Sequence, residues 1–268
     1  MRRRPQVRDQ VALMSGYLSP QVDVEVRLNT NETAQPPHPD FVDKVTRRLP
    51  RDLNRYPDRP ASALREALGE WHGLGPERIW AANGSNEILL QLFQAYGGPG
   101  RRLLTTRPGY SAHPLIARVA STEVVTFDLT RDFALDLEVA RAAITEHTPS
   151  LIVFANPNNP VGTPVALDDV AAIHDAAPDA LIVLDEAYVE FGGVSAATLL
   201  DELDRLVVSR TFSKAFRLAG LRLGYLLAHD WVVEDLRRVR LPYHLDALTQ
   251  TAGLVALEQR DAMLAHIP

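Results

Sequence analysis

The sequence predicts an α/β protein built on a mostly parallel sheet. From residue 61 onward, short apolar runs alternate with amphipathic helical segments, which is the pattern of repeated strand–helix units. Some runs, such as Leu151–Ala155 and Leu181–Leu184, are apolar at every position and indicate buried strands. Polar clusters directly follow several runs, and ligands of parallel sheets bind beyond the carboxyl ends of the strands. The pattern therefore predicts a ligand site at that edge.

The alternation predicts seven strands and seven helices. The strands are expected at Arg78–Ala82, Arg102–Thr106, Glu123–Phe127, Leu151–Ala155, Leu181–Leu184, Leu206–Ser209 and Leu223–Ala228. The helices are expected at Ser62–Trp71, Ser85–Tyr96, Ala112–Ala120, Leu137–Glu146, Leu167–Ala176, Trp231–Arg240 and Leu245–Glu258. Ser85 is predicted to cap its helix. Before residue 61 we expect an arm with one short helix, and loops over Asn29–Asp40 and Arg51–Pro60.

Composition excludes several classes of protein. The net charge of −6 argues against a general nucleic-acid binder, because no basic excess is available to neutralise phosphates. The basic clusters Arg2–Arg4 and Arg47–Arg48 are interpreted as a solvated arm and a solvated helix end. The absence of cysteine excludes disulfides and thiolate metal sites. No apolar run is long enough to span a membrane, and Val11–Met14 is too short for a signal-peptide core. We therefore expect a cytoplasmic protein without a membrane partner.

The use of lysine is informative. Lysine occurs only at Lys44 and Lys214, so 26 of the 28 basic residues are arginine. Lysine can lose its proton and act as a nucleophilic amine, whereas arginine effectively cannot. Lys44 is expected at an exposed helical position. Lys214 lies in a loop with hydroxyls and an arginine, which indicates a chemical role.

Four polar segments follow predicted strands. Asn83–Glu87 opens a helix, whose free N–H groups bind phosphate readily, although for this segment alone a simple cap is the better explanation. Asn156–Gly162 contains two prolines and a glycine and predicts a rigid turn that holds its asparagines at the ligand edge.

Asp185 and Glu186 end a strand, where carboxylates either cap the next element or face a ligand. No matching His or Asp cluster completes a metal site there. The segment from Ser209 to Tyr225 contains Lys214.

These segments occur in the order and at about the spacing of the fold-type I pyridoxal-phosphate aminotransferases. Asn-Arg-Tyr-Pro-Asp at 54–58, the Asn-Asn-Pro turn, and Ser-Lys-Ala-Phe with Leu-Ala-Gly-Leu-Arg together resemble the histidinol-phosphate aminotransferase family. Leu-Asn-Thr-Asn-Glu at 28–32 is similar to the N-terminal segment of that family. The match extends from about residue 17 to the end. The resemblance implies a large domain with helices on both faces of the sheet, an N-terminal arm and a small C-terminal domain.

The resemblance also implies pyridoxal 5′-phosphate as cofactor and assigns the catalytic residues. Lys214 would form the imine with the cofactor aldehyde and then carry the proton between the substrate α-carbon and cofactor C4′. Asp185 would keep the pyridine nitrogen protonated, so that the ring accepts electrons. Tyr188 and Asn159 would bind the phenolic oxygen of the ring, and Tyr110 would stack on its face.

The cofactor phosphate is assigned, by the same resemblance, to a set of polar residues. These are Ser85, Asn86, Thr211, Ser213 and Arg222. Tyr56 would reach the phosphate in the neighbouring subunit, which implies a homodimer with shared active sites. Without the other motifs, Tyr56 and Tyr110 would be interpreted as surface or turn aromatics.

Members of the family are longer than this chain, which ends at Pro268. We therefore expect residues 1–50 to form the arm and part of a small domain, 51–243 to form the cofactor-binding large domain, and 244–268 to begin the helix that leads into a truncated small domain. No residue here can be assigned as the arginine that grips the substrate. An apolar face on the last helix is expected to lack a partner; it comprises Leu245, Leu248, Ala252, Val255 and Ala256.

The first functional hypothesis is transfer of an amino group from histidinol phosphate, or a similar amine, to 2-oxoglutarate. A related aromatic aminotransferase or a phosphothreonine decarboxylase is the alternative among enzymes, because what separates them lies largely in the substrate contacts. A third hypothesis is a chain that binds the cofactor or a partner subunit without turnover.

Overall fold

The N-terminal part of the chain is largely irregular. The computed structural model describes residues 5–16 and 19–267, so the Arg2–Arg4 cluster lies outside the described residues. A short helix, α1 (Asp9–Ala12), precedes an irregular stretch, and α2 (Pro39–Arg48) follows it. Proline suits the first position of α2 because the N–H that it lacks would have no helical partner. Asp40 thus lies in the helix rather than in the predicted loop, and Lys44 is exposed on α2 as expected.

Within the described residues, seven strands form one sheet. They are β1 (Ile79–Ala82), β2 (Arg102–Arg107), β3 (Glu123–Asp128), β4 (Leu151–Ala155), β5 (Leu181–Asp185), β6 (Leu206–Thr211) and β7 (Gly224–Ala228). Their order across the sheet is β1-β7-β6-β5-β4-β2-β3. Every neighbouring pair from β6 to β3 is parallel, and β7 runs antiparallel to β1 and β6. The mostly parallel sheet predicted from the sequence is confirmed.

Helices cover both faces of this sheet. They are α3 (Ser62–His72), α4 (Ser85–Tyr96), α5 (Ala112–Val119), α6 (Leu137–His147), α7 (Leu167–Ala176), α8 (Asp230–Val239) and α9 (Ala247–Glu258), followed by the short α10 (Arg260–Leu264). Alternate residues of β5 enter different cores, as the pleat of a strand requires. Leu181 and Val183 pack with α4, α5 and α8, whereas Ile182 and Leu184 pack with α3, α6, α7 and α9. The sheet is therefore the middle of three layers.

Two helix starts differ from the sequence prediction for local reasons. Gly84, not Ser85, is the N-cap of α4, with a φ of 82° that glycine adopts without steric cost. Ser85 is the first helical residue, and no side chain caps this end. The last long helix begins at Ala247 rather than Leu245, because the Asp246 carboxylate accepts a hydrogen bond from Thr249 N at 2.9 Å and acts as its N-cap.

The expectation that the apolar face of α9 lacks a partner is wrong. Helices α2 and α3 pack against α9, and Gly253 permits a close approach: a Cβ there would lie 3.0 Å from a methyl of Leu64. Of the five residues predicted on that face, four are buried and Leu248 is 41% exposed. The sequence pattern correctly predicts an apolar face, but other helices of the same chain cover it.

Candidate active site

The carboxyl ends of the parallel strands open onto a cavity of about 540 Å³. Ala155, Asp185 and Ser209 are adjacent in the register of β4, β5 and β6, so the carboxyl ends of the three strands lie side by side at this edge. Ten of the eleven predicted site residues line the cavity: Ser85, Asn86, Tyr110, Asn159, Asp185, Tyr188, Thr211, Ser213, Lys214 and Arg222. The structure therefore brings together residues that are far apart in sequence.

Lys214 points its amine at the N-terminal segment. Its Nζ donates hydrogen bonds to the carbonyl oxygens of Thr30 at 2.7 Å and Asn31 at 3.0 Å. Burial lowers the pKa of the ammonium below its ordinary value; the Glu32 carboxylate opposes this shift and the Arg222 guanidinium adds to it. A lowered pKa increases the fraction of neutral amine, which is the nucleophilic form.

Asp185 is buried at the end of β5 and pairs with a histidine that the sequence interpretation missed. The His113 Nε2 lies 3.1 Å from Asp185 Oδ2, and both side chains are almost completely buried. The other carboxylate oxygen, Oδ1, is buried and has no hydrogen-bond partner among the described residues. A buried acceptor that is left unpaired is costly, so this oxygen suits a donor on a bound ligand.

His113 lies on α5, one turn after Tyr110, and their rings meet edge to face with centroids 5.2 Å apart. The spacing of three residues is the available sequence signal, because residues at i and i+3 of a helical turn share a face. Nothing in the local sequence shows that the turn packs against β5. His113 and Asp185 are 72 residues apart in the sequence, so the sequence spacing gives no indication that they are in contact.

The segment around Asn31 closes one side of the cavity. Asn31 Nδ2 donates to the Tyr188 hydroxyl at 3.1 Å, and Thr33 Oγ1 donates to the Lys214 carbonyl oxygen at 2.8 Å. The Lys214 Nζ also lies 5.5 Å from the centroid of the Tyr188 ring. The segment at 28–32, which resembles the N-terminal segment of the family, is therefore part of the site. It contributes the carbonyl oxygens of Thr30 and Asn31 and the side-chain amide of Asn31.

A cradle for an anion occupies the opposite side, at the start of α4. The N–H groups of a helix's first turn have no helical partners and favour a negative charge. Arg222 approaches this turn so closely that a Cβ on Gly84 would lie 2.8 Å from its guanidinium. Thr211 Oγ1 and Ser213 Oγ lie 2.9 Å apart, and Arg222 Nη1 lies 3.4 Å from Ser213 Oγ. Donors of both backbone and side-chain type therefore converge here.

The cradle depends on close packing of β7 under α4. A Cβ on Gly224 would lie 2.5 Å from the Ser85 nitrogen, so a larger residue there would displace the start of α4. Arg222 itself has a φ of 56°, in the left-handed region that few non-glycine residues adopt. Strained backbone of this kind is often found at functional sites.

Tyr56 is the predicted site residue that does not line the cavity. It is 78% exposed and stacks on Tyr243, with ring centroids 4.3 Å apart and an interplanar angle of 14°. Its position outside the cavity of its own chain agrees with the predicted role in a neighbouring subunit, which remains a prediction.

The part of the chain that the structure describes contains neither a metal-binding cluster nor a membrane-spanning helix. Residues 5–16 and 19–267 contain no group of three or more His, Cys, Asp or Glu side chains arranged to hold a metal ion. None of the helices in that part of the chain has the length and apolar character needed to cross a membrane.

Comparison with known proteins identifies the family. The profile of aminotransferase class I and II matches residues 23–267. This protein belongs to that family. The histidinol-phosphate aminotransferase of Thermobifida fusca is 48% identical over 269 residues, a match that covers 97% of this chain and 73% of the relative. The enzyme of the same name from Paenarthrobacter aurescens is 47% identical over 264 residues, covering 95% of this chain and 71% of that protein.

A solved structure of the same kind confirms the aminotransferase fold. Histidinol-phosphate aminotransferase from Sinorhizobium meliloti, in complex with pyridoxal-5′-phosphate, superposes with a TM-score of 0.80 at 28% identity. The match covers 87% of this chain and 64% of that chain, so the present chain spans less than two thirds of the length of that structure. The predicted fold class, a fold-type I aminotransferase large domain, is therefore correct.

Proposed function

We propose that this aminotransferase uses pyridoxal 5′-phosphate to transfer the amino group of histidinol phosphate to 2-oxoglutarate, which yields imidazole acetol phosphate and glutamate in histidine biosynthesis. The observation that carries the proposal is the convergence of a lysine amine, a buried carboxylate and an anion cradle in one cavity. The high identity to enzymes named histidinol-phosphate aminotransferase supports this amino donor.

The residues of the cavity fit the cofactor. The unpaired Asp185 Oδ1 suits a ring N–H, the Lys214 amine suits an aldehyde, and the start of α4 with Arg222 suits a phosphate. When bound, pyridoxal phosphate supplies an electron sink for the carbanion that forms at the substrate α-carbon. The fit supports the cofactor proposed from the resemblance.

In this proposal each cavity residue binds or orients a defined group. Lys214 would bind the cofactor aldehyde covalently until the substrate amine displaced the lysine, and its freed amine would then move the proton of the substrate α-carbon. Asp185 would hold the proton on the pyridine nitrogen. Tyr188 and Asn159 would bind the phenolic oxygen, and Tyr110 would cover the ring face.

The polar residues at the start of α4 and around Arg222 are the proposed ligands of the cofactor phosphate. They are Ser85, Asn86, Thr211, Ser213 and Arg222. His113 acts on the cofactor through Asp185, since its Nε2 occupies one carboxylate oxygen and leaves the other for the ring nitrogen. His113 is therefore a positioning residue.

The proposed assembly is a homodimer in which Tyr56 of one subunit reaches the phosphate held by the other. The exposed Tyr56–Tyr243 stack supports this, because it holds Tyr56 on the surface in a defined orientation. The division into an arm with part of a small domain (1–50), a cofactor-binding domain (51–243) and the start of a connecting helix (244–268) stays a proposal as well.

Amino-donor assays on the purified protein test the function. With cofactor and 2-oxoglutarate present, histidinol phosphate should yield glutamate faster than phenylalanine does, and phosphothreonine should release no carbon dioxide. A preference for phenylalanine would favour an aromatic aminotransferase, and carbon dioxide release would favour a decarboxylase. Cofactor binding without turnover of any donor would support a binding role instead.

A further inference from the structure

A buried cluster of three charged side chains lies beside the cofactor cavity but does not line it. Arg210 Nε donates to Glu186 at 2.9 Å, its Nη1 to Glu190 at 3.1 Å, and its Nη2 to the Ser195 hydroxyl at 2.8 Å. Glu186 is fully buried and also accepts from the Ser195 hydroxyl at 2.8 Å and from Ala196 N at 2.6 Å. We call these four residues, Glu186, Glu190, Ser195 and Arg210, the Arg210 cluster.

The cluster joins two segments that carry cofactor-facing residues. Asp185 at the end of β5 and Tyr188 in the loop that follows line the cavity, whereas Glu186 and Glu190 do not. On β6, Thr211 lines the cavity and the preceding Arg210 does not. Arg210 is thus bonded to Glu186 and Glu190 away from the cavity. The neighbouring residues of the same two segments face the cavity.

Three bonds from one guanidinium fix a loop more rigidly than a single contact does, because the planar fork restrains distance and orientation together. The segment between β5 and β6 has no strand or α-helix of its own, only 3₁₀ turns at Val189–Phe191 and Ala196–Leu199. The Arg210 cluster adds side-chain hydrogen bonds from β6 to this segment, beside the backbone bond of Glu186 N to the Ser209 carbonyl oxygen at 2.8 Å. Tyr188 lies between Glu186 and Glu190, the two glutamates that Arg210 binds.

Net stability is a poor explanation for such a cluster. Buried ion pairs usually contribute no more than well-packed apolar residues of the same volume, because the charges lose their hydration. Here two carboxylates share one guanidinium, and burial raises the pKa of both glutamates while the charge of Arg210 opposes the shift. A costly arrangement of this kind is better explained by the geometry that it imposes.

We propose that Arg210 is a positioning residue for the cofactor site, which sets Tyr188 and Asp185 relative to Lys214 by binding Glu186, Glu190 and Ser195. The inference rests on the proposed use of pyridoxal phosphate. It assigns a function in cofactor binding to residues that touch neither cofactor nor substrate.

The test compares Arg210→Met with Arg65→Met. Arg65 is an apt control because it is as buried as Arg210, at 6% exposure, but donates to the backbone carbonyls of Ile79 and Pro76 and does not line the cavity. Three quantities are measured on each purified protein: the melting temperature without cofactor, the dissociation constant for pyridoxal phosphate, and the pH midpoint of the visible absorption band of the bound cofactor.

Both variants should lose stability, but only Arg210→Met should disturb the cofactor. Its dissociation constant should rise about tenfold or more, and the pH midpoint of its visible band should move by more than about half a unit, because the contact of Tyr188 with the phenolic oxygen changes. Arg65→Met should keep the dissociation constant within about twofold of wild type and the pH midpoint within about half a unit, at a comparable loss of melting temperature.

Milder variants keep the proposal testable if Arg210→Met does not fold. Glu190→Ala and Ser195→Ala each remove one acceptor of Arg210 and should shift both cofactor readouts in the same direction by a smaller amount. Wild-type values in these variants, or equal shifts in Arg65→Met, would overturn the positioning role alone. A wild-type protein that develops no visible band with pyridoxal phosphate would overturn the proposed function and this inference with it.

Discussion

His113 Nε2 lies 3.1 Å from Asp185 Oδ2, and the pair is sealed between α5 and the end of β5. This contact fixes which carboxylate oxygen remains for a ligand. His113→Phe removes the bond and should weaken cofactor binding about tenfold or more, since hydrogen bonds to charged groups contribute about 1.5–3 kcal/mol. His113→Gln keeps a donor and should lose less. Titration with pyridoxal phosphate measures both, and equal losses would show that volume, rather than the bond, matters.

Asp185→Asn tests the carboxylate itself. The amide cannot hold the proton on the pyridine nitrogen, so the electron sink weakens while the other cofactor contacts remain. The variant should retain part of its cofactor and lose about a hundredfold or more in turnover. Absorbance and steady-state assays measure the two properties separately. Turnover close to wild type would refute the assigned role.

Arg222→Leu tests the anion cradle, and the ligand itself provides the control. The dissociation constant for pyridoxal phosphate should rise about tenfold to a hundredfold, because a charge-assisted hydrogen bond is lost. Binding of pyridoxal, which has no phosphate, should change little. If both ligands weaken equally, Arg222 supports the fold rather than the phosphate.

His72 gives the protein a pH-dependent stability. Burial, with help from the charges of Arg210 and Arg260, lowers the pKa of His72 from 6.5 to about 3. Between these values the unfolded chain binds the proton and the folded chain does not, so stability is lost as pH falls below 6.5. The contribution amounts to roughly 2 kcal/mol between pH 6.5 and pH 5.

His72→Gln should remove that slope, because glutamine does not titrate. Urea unfolding of both proteins at pH 7 and pH 5 measures the difference, and the free energy of unfolding of wild type should fall further than that of the variant. Parallel decreases would mean that other groups account for the acid sensitivity.

Much of this molecule could be predicted from its sequence because the signals are local. The apolar runs identified all seven strands within two residues, and the motif residues around Lys214 and Asp185 face one cavity. Contacts between distant segments could not be predicted. The His113–Asp185 pair, the Arg210 cluster and the cover that α2 and α3 place over α9 all depend on tertiary packing. The cap of α4 was misassigned because the glycine before Ser85 supplies the unusual backbone angle.

Covalent capture of the cofactor tests the central claim most directly. Purified protein is incubated with pyridoxal phosphate, reduced with borohydride, digested, and examined by mass spectrometry. The chain offers two lysines, Lys44 on the exposed face of α2 and Lys214 in the cavity, so each acts as the control for the other. We predict a visible band before reduction, the label on Lys214, and neither band nor label in Lys214→Ala. A label on Lys44 instead, or a band that persists in Lys214→Ala, would contradict the account.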